Sequence, residues 1–241
     1  MLFLLRKLRK SFFLPGKLRT YMAYALGEIV LIVVGILIAV QIGDWKEAGQ
    51  QRIEIELALS DIKADLEKEA SSLNELLAEL ERRQTAVEAL KAHFEGKAIS
   101  NTNMEKHFGQ LTGYSALRPV RSSYAAFKDS GLPLNNRHLK LTLIDYFEEE
   151  QVSVVDIGAD YEWFFKTHHL PFQRKHMEYA EFEEIAIPRD HSDPALKDDF
   201  LVNTFDFDTL IGLSLSRSKE LLELNNEIQE LIDAELTGDL D

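Results

Sequence analysis

The feature that most constrains this chain is an unbroken apolar stretch over residues 21–42. It contains one acid, Glu28, and no base. At about 1.5 Å of rise per residue, a helix of this length spans roughly 33 Å, enough to cross the hydrocarbon core of a bilayer. Tyr21 begins the stretch and Trp45 follows it, as is typical of membrane interfaces. The sequence therefore predicts one transmembrane helix over residues 21–45.

Charge is distributed unevenly around this predicted span. Residues 1–20 carry six Lys or Arg and no acid, whereas the rest of the chain has a net charge of −20. Basic residues beside a first span remain in the cytoplasm. We therefore expect a basic cytoplasmic amphipathic segment over 1–20 and a single-pass protein of the bacterial inner membrane with a periplasmic C-terminal domain. The lipid bilayer is then a partner, and an acidic exported domain argues against nucleic acid.

Processing and redox chemistry follow from two further observations. The apolar run is longer than the core of an ordinary signal peptide, and the VQIGDWKE segment after it lacks a small-residue cleavage site, which favours an uncleaved signal anchor. The chain contains no cysteine, which excludes disulfides, thiol catalysis and cysteine-ligated metals.

Small residues recur at four-residue spacing inside the span. The helix-packing candidates are Gly27, Gly35, Ala39 and Gly43. Small residues on one face let helices approach closely in lipid. This pattern predicts a homo-oligomer or association with another envelope protein.

Glu28 is the one charged residue of the apolar stretch 21–42 and lies about 10 Å from its cytoplasmic end by helical rise. A carboxyl at that depth is costly unless it is protonated, hydrated or paired. It is either a proton-linked or partner-binding carboxyl, or an acid that reaches the headgroups or bonds across a dimer. We favour the second interpretation because one acid makes no proton pathway.

A heptad pattern follows over residues 46–96. One series repeats every seven residues: Leu59, Leu66, Leu73, Leu80, Val87 and Phe94. Its partner series is Ile55, Ile62, Glu69, Leu76, Arg83 and Leu90. This predicts a long coiled-coil-like helix that ends near Gly96 and needs one or two partners. Glu69 and Arg83 interrupt the stripe, so they fix its register or mark a change of pairing.

Residues 97–236 are predicted to form a helical bundle, followed by a tail over 237–241. A loop and a short helix precede Pro119, and residues 122–150 have the pattern helix, turn, helix, with Asn135 or Asn136 as a cap. We expect the aromatic-rich residues 152–185 to close the core and residues 186–196 to form a loop. A last helix, predicted over 207–236, runs antiparallel to the heptad helix. The predicted fold class is all-α, with a single transmembrane helix that runs into the long coiled-coil-like helix, which packs in an extracytoplasmic helical bundle.

Two passages resemble an uncharacterised family of small single-span membrane proteins of Bacteroidota. In the span the matching positions are Gly27, Glu28, Ile29, Gln41, Ile42 and Trp45. In the second passage they are Tyr124, Ser130, Gly131, Leu132, Tyr146 and Phe147. The resemblance implies this architecture and supplies no active site.

No standard catalytic or cofactor motif is present: the sequence lacks G-x-S-x-G, H-E-x-x-H, a P-loop and G-x-G-x-x-G. One cluster merits testing as a metal site: His168, His169, His176 and His191, with Asp156, Asp160 and Glu162. Its spacing matches no zinc pattern. We therefore predict no catalytic residue, no cofactor and no metal.

These observations favour a structural or interaction protein, a scaffold or adaptor that presents a helical bundle to the periplasm. The alternative is a periplasmic ligand-sensing domain that acts through a partner protein. An enzyme has no motif behind it.

Overall fold

A computed structural model describes residues 15–238, without the side chains of 15–20 and of Ala23. The predicted amphipathic segment before Pro15 and the last residues of the predicted tail lie outside the described residues. The chain divides into two compact units, Met1–Glu54 and Ile55–Asp241. The boundary falls inside the first helix, nine residues beyond the one that the sequence predicted.

Helix α1 (Pro15–Phe94) contains both the predicted span and the predicted heptad helix. The sequence predicted a span that runs into the heptad helix, and the two are continuous because no proline between Pro15 and Pro119 interrupts the backbone hydrogen bonds. Within the described residues, one helix, Tyr24–Phe94, is long and apolar enough to cross a membrane by length and composition. Its most apolar window has a mean hydropathy of 2.6 and is not buried.

The predicted end of the heptad helix at Gly96 is confirmed. Gly96 has a φ of +113°, a backbone conformation that glycine tolerates best. Its N–H donates to the His93 carbonyl at 3.0 Å, and the Lys97 N–H donates to the Ala92 carbonyl at 2.9 Å. This pair of bonds is the Schellman arrangement, which satisfies carbonyls left over at the end of a helix.

The second unit adds short helices, a hairpin and one long final helix. The helices are α2 (Asn101–Gln110), α3 (Ser122–Ser130), α4 (Arg137–Ile144), α5 (Gln151–Phe164), α6 (Leu170–His176) and α7 (Pro194–Thr237). Two π-helical segments, Asp145–Glu150 and Phe165–His169, join α4 to α5 and α5 to α6. The antiparallel strands are β1 (Met177–Glu181) and β2 (Ile185–Pro188).

The heptad stripe of α1 forms the centre of the core. Leu59, Leu66, Leu73 and Leu80 are fully buried, as are the two charged interruptions, Glu69 and Arg83. Helix α7 runs antiparallel to α1, as predicted: Lys63 pairs with Asp233 at 2.6 Å, and Glu81 pairs with Lys219 at 3.0 Å. The stripe is therefore covered from within the same chain.

The sequence prediction was wrong at two places near the C-terminal helix. Helix α7 begins at Pro194 rather than at 207, because the Asp193 carboxylate caps it by accepting from the Ala195 N–H at 2.9 Å. Part of the predicted loop over 186–196 is strand β2. Strand β1 has a mostly exposed, charged sequence without clear alternation, so periodicity gave no signal for it.

The predicted helix–turn–helix over 122–150 is present as α3 and α4. Gly131 ends α3 with a φ of +68°, and the Asn136 side chain caps α4 by accepting from the Leu139 N–H at 3.1 Å. The π-helical segment that follows was not predicted.

Candidate functional site

Polar side chains gather at three places in the second unit: around buried Glu69, around buried Arg83, and at a surface groove between α3 and α4. The first two contain the charges that interrupt the heptad stripe. The third, which we call the corner groove, lies at the turn of the predicted helix–turn–helix over residues 122–150.

The Glu69 cluster is a hydrogen-bonded network of fully buried side chains: Glu69, Tyr146, Gln151 and Asn225. The Tyr146 hydroxyl donates to the Glu69 carboxylate at 3.0 Å, and the Gln151 amide donates to both carboxylate oxygens at 2.7 and 2.8 Å. Asn225 donates to the Tyr146 oxygen at 2.8 Å. Within the described residues no side-chain nitrogen or oxygen of these four is buried without a partner.

The first π-helical segment explains how two of these groups reach one carboxylate. The Gln151 N–H donates to the Tyr146 carbonyl, five residues earlier. In an α-helix, side chains five apart point about 140° away from each other, whereas a π turn places them nearly above one another. Tyr146 and Gln151 therefore both face Glu69.

Burial governs the ionisation of this cluster. Loss of water raises the pKa of Glu69, and hydrogen bonds from Gln151, Tyr146 and the Val120 N–H oppose that rise. The pKa of Tyr146 is raised by burial and by the neighbouring Glu69 charge. The hydroxyl thus remains a proton donor to Glu69 at neutral pH.

The Arg83 cluster lies two heptads further along α1 and is less completely paired. Arg83 Nη2 donates to the Glu183 carboxylate at 2.5 Å and lies 3.9 Å from the Glu79 carboxylate. Three buried polar atoms of this region form no hydrogen bond of ordinary geometry among the described residues: Arg83 Nη1, the Tyr161 hydroxyl and His169 Nε2. Arg83 nevertheless lies close enough to Tyr161 to oppose the rise in the pKa of its hydroxyl. Burial raises the pKa of Tyr161 to about 12 and lowers that of His169 to about 4, so both side chains are neutral near pH 7.

The hairpin between β1 and β2 supplies the partner of Arg83. Glu183 lies at its tip with a φ of +59°, a left-handed conformation that costs a non-glycine residue about 1–2 kcal/mol. Its N–H donates to the Thr112 hydroxyl at 2.7 Å. A Cβ at Gly109 of α2 would collide with the backbone of Glu184 and Ile185, so the hairpin is seated directly on that glycine. The ion pair between Glu183 and Arg83 thus depends on a strained turn and on close backbone contact between the hairpin and Gly109.

The corner groove lies between α3, the following turn and α4, and has a volume of about 620 Å³. Its walls include Phe127, Leu132, Leu134, Leu143 and Ile144. This volume is within the range of small-molecule sites, which are mostly apolar with a few polar groups. The sequence predicted a turn here, and it did not predict the groove at the surface of that turn.

The groove contains few polar groups, and most of them are paired. Glu148 accepts from the Tyr124 hydroxyl at 2.8 Å and from Lys128 at 2.5 Å. Lys140, on α4, also lines the groove.

The helix-packing candidates and the acid predicted in the span make no contact with another helix among the described residues. Among the described residues outside the adjacent turns of the same helix, no atom lies within 4 Å of a Cβ placed at Gly27, Gly35 or Gly43. Ala39 and Glu28 are exposed. Their predicted roles in helix packing and as an intramembrane acid remain predictions.

The histidines considered as metal ligands lie in separate environments. His169 is stacked against Phe207 with ring centroids 4.7 Å apart, whereas His176 bonds to Asp199 at 2.7 Å and His191 bonds to Glu105 at 2.8 Å. Across residues 15–238 no group of three or more His, Asp or Glu side chains is arranged to hold a metal ion.

Comparison with protein families identifies a match. The profile of a family of unknown function (DUF6090) matches residues 28–167, more than half of the chain. The matched region extends from Glu28 to the second π-helical segment and includes both charged positions of the heptad stripe. No curated protein and no solved structure matches the chain.

Proposed function

Since this chain belongs to a family of unknown function, DUF6090, we propose a function from its own residues: it is a membrane-anchored envelope protein that acts as a scaffold or adaptor. One observation carries the proposal. The most apolar window of α1 is wholly exposed, and the same helix continues into the core of the folded unit. An exposed apolar surface of this length needs lipid or other spans to cover it.

The proposed orientation places the N-terminus in the cytoplasm and the helical unit in the periplasm, following the basic residues before the span. Because the chain has no cysteine, single introduced thiols report topology directly. In cells whose outer membrane alone is permeabilised, an impermeant maleimide should label Ser71→Cys. It should label Ser11→Cys only after the inner membrane is also disrupted. The reverse labelling pattern would overturn the orientation, and recovery of both variants in the soluble fraction would overturn the anchor.

The adaptor role further requires association through the span. Native mass spectrometry of the full-length protein in mild detergent should reveal a dimer, a trimer or a complex with a second protein. Gly35→Leu combined with Ala39→Leu should weaken this association, because larger side chains hold the helices apart. The matched control, Val34→Leu with Ile38→Leu, alters adjacent positions without filling the small-residue face. Equal association in both variants would argue against the proposed interface.

Ligand sensing through a partner protein is the second candidate, and the corner groove is the observation that favours it. Native mass spectrometry tests this function as well, because a sensor purified from membranes should retain a small molecule at substoichiometric or full occupancy. A scaffold without a sensing role should be recovered free of such a molecule. No catalytic role is proposed.

A further inference from the structure

The corner groove combines apolar walls with an uneven charge balance. The large apolar side chains that line it are Phe127, Leu132, Leu134, Leu143 and Ile144. Burying an aliphatic chain against such walls contributes about 0.8 kcal/mol per methylene, or nearly fourfold in affinity. The walls therefore suit a ligand with an aliphatic chain.

The charged groups determine which end group such a ligand carries. Hydrogen bonds from Lys128 and then from Tyr124 hold the pKa of Glu148 below its ordinary value, so this carboxylate is ionised and is neutralised by Lys128. Lys140 forms no ion pair with any residue among 15–238 that has a described side chain. The groove thus has one uncompensated positive charge, on a protein whose net charge is −14.

We propose that the corner groove binds a free aliphatic carboxylate, with its chain on the apolar walls and its carboxylate paired with Lys140. This inference rests on the second candidate function, ligand sensing, and names the chemistry of the ligand. Tyr124 and Lys128 both donate to Glu148, so that carboxylate and Lys128 compensate each other and Lys140 is left as the cation for the ligand.

Photo-crosslinking in a bilayer tests the proposal with the full chain. The protein is placed in zwitterionic phosphatidylcholine nanodiscs with a diazirine-bearing dodecanoate at subsaturating concentration, and labelled peptides are identified by mass spectrometry. We expect labelling within residues 122–150. Lys140→Gln should lower that yield about threefold to fivefold, as loss of an exposed ion pair does. Lys197→Gln, on the exposed surface of α7, should leave it unchanged.

Three results would overturn the proposal. The first is labelling confined to the span, and the second is equal yield from the Lys140→Gln variant or from the matching diazirine-bearing dodecanol. The third is loss of labelling when anionic phospholipid is added to the discs, which would make a membrane lipid rather than a free carboxylate the occupant. Retention of a chemically different molecule in native mass spectrometry would overturn the ligand class while leaving ligand sensing intact.

Discussion

Glu69 and Arg83 occupy the same heptad series of α1, two repeats apart. Both are buried, with at most 2 % of either residue exposed to solvent. Their surroundings differ. Every polar atom of the Glu69 cluster has a partner, supplied by three different helical elements. Among the described residues, the Arg83 cluster leaves three buried polar atoms without a hydrogen bond of ordinary geometry, and it depends on a glutamate in a strained turn.

This difference shows two ways to accommodate a charge in a helical core. A fully satisfied network fixes one arrangement of the elements that contribute to it, and breaking any member leaves buried donors without acceptors. For a buried charge with few partners, the cost of removing it from water is close to the gain from its ion pairs. Replacing it with an apolar residue of similar size therefore changes the free energy of unfolding little. We therefore infer that Glu69 defines how α1, α5 and α7 pack, and that Arg83 mainly holds the hairpin.

The largest expected effect is the contrast between Glu69→Ala and Arg83→Met. Glu69→Ala leaves the Tyr146 and Gln151 donors buried and unpaired, and should lower the free energy of unfolding by about 3–5 kcal/mol. Arg83→Met removes an unpaired nitrogen and frees Glu183, which is already about one third exposed, to return to water. It should change the free energy of unfolding by no more than about 1 kcal/mol.

Denaturant unfolding of the full-length variants in mild detergent, followed by circular dichroism, measures this contrast. Glu69→Gln serves as the isosteric control and should fall between the two, because its amide nitrogen meets the Gln151 donor. Equal destabilisation by Glu69→Ala and Arg83→Met would break the comparison.

The next effect is a pair of opposite pH dependences. The pKa of His169 falls from 6.5 to about 4 on folding, so the unfolded chain binds more protons between those values. Neutral His169 therefore contributes up to about 3 kcal/mol to the free energy of unfolding. This contribution is complete above pH 6.5 and is lost as the pH falls towards 4. The pKa of Glu69 is raised above 4.5, so its contribution is complete below pH 4.5 and is lost as the pH rises through the folded value.

Unfolding free energies measured from pH 4 to pH 7 separate the two groups. His169→Phe keeps the stacked ring and should remove the loss of stability at acid pH. Glu69→Gln should remove the opposing slope and steepen the net loss at acid pH. A change of slope with the same sign in both variants would contradict the assignment.

These contrasts also mark how far the sequence alone determines the structure. Heptad spacing identified the buried face of α1, the end at Gly96 and the antiparallel final helix, because these depend on local periodicity and on glycine conformation. It could not identify the partners of Glu69, because the π-helical segment that aligns Tyr146 with Gln151 leaves no periodic signal. Nor could it place Glu183 on Arg83, which lies 100 residues away along the chain.

The seating of the hairpin gives a third, smaller effect. Gly109→Ala forces a Cβ into the backbone at Glu184 and should cost about 1–3 kcal/mol, like other substitutions that overpack a core. Gly212→Ala in α7 is the matched control, because no other element in the described part of the chain comes within 4 Å of a Cβ at that position. It should stabilise the protein by about 0.5–1 kcal/mol through helix propensity. Hydrogen exchange should increase over residues 177–188 in the Gly109→Ala variant alone, and unchanged protection there would mean that the hairpin is held elsewhere.

The smallest effect tests whether the ion pair with Arg83 is what offsets the backbone strain at Glu183. In the wild-type background, Glu183→Gly removes the partner of a buried guanidinium and should destabilise the protein by about 1–3 kcal/mol. In the Arg83→Met background no partner is lost, and glycine relieves the left-handed conformation at some cost in chain entropy, for a net gain of about 0.5–1 kcal/mol. The same substitution should therefore change sign between the two backgrounds in denaturant unfolding. Destabilisation of equal size in both would show that the turn, rather than the ion pair, determines the position of Glu183.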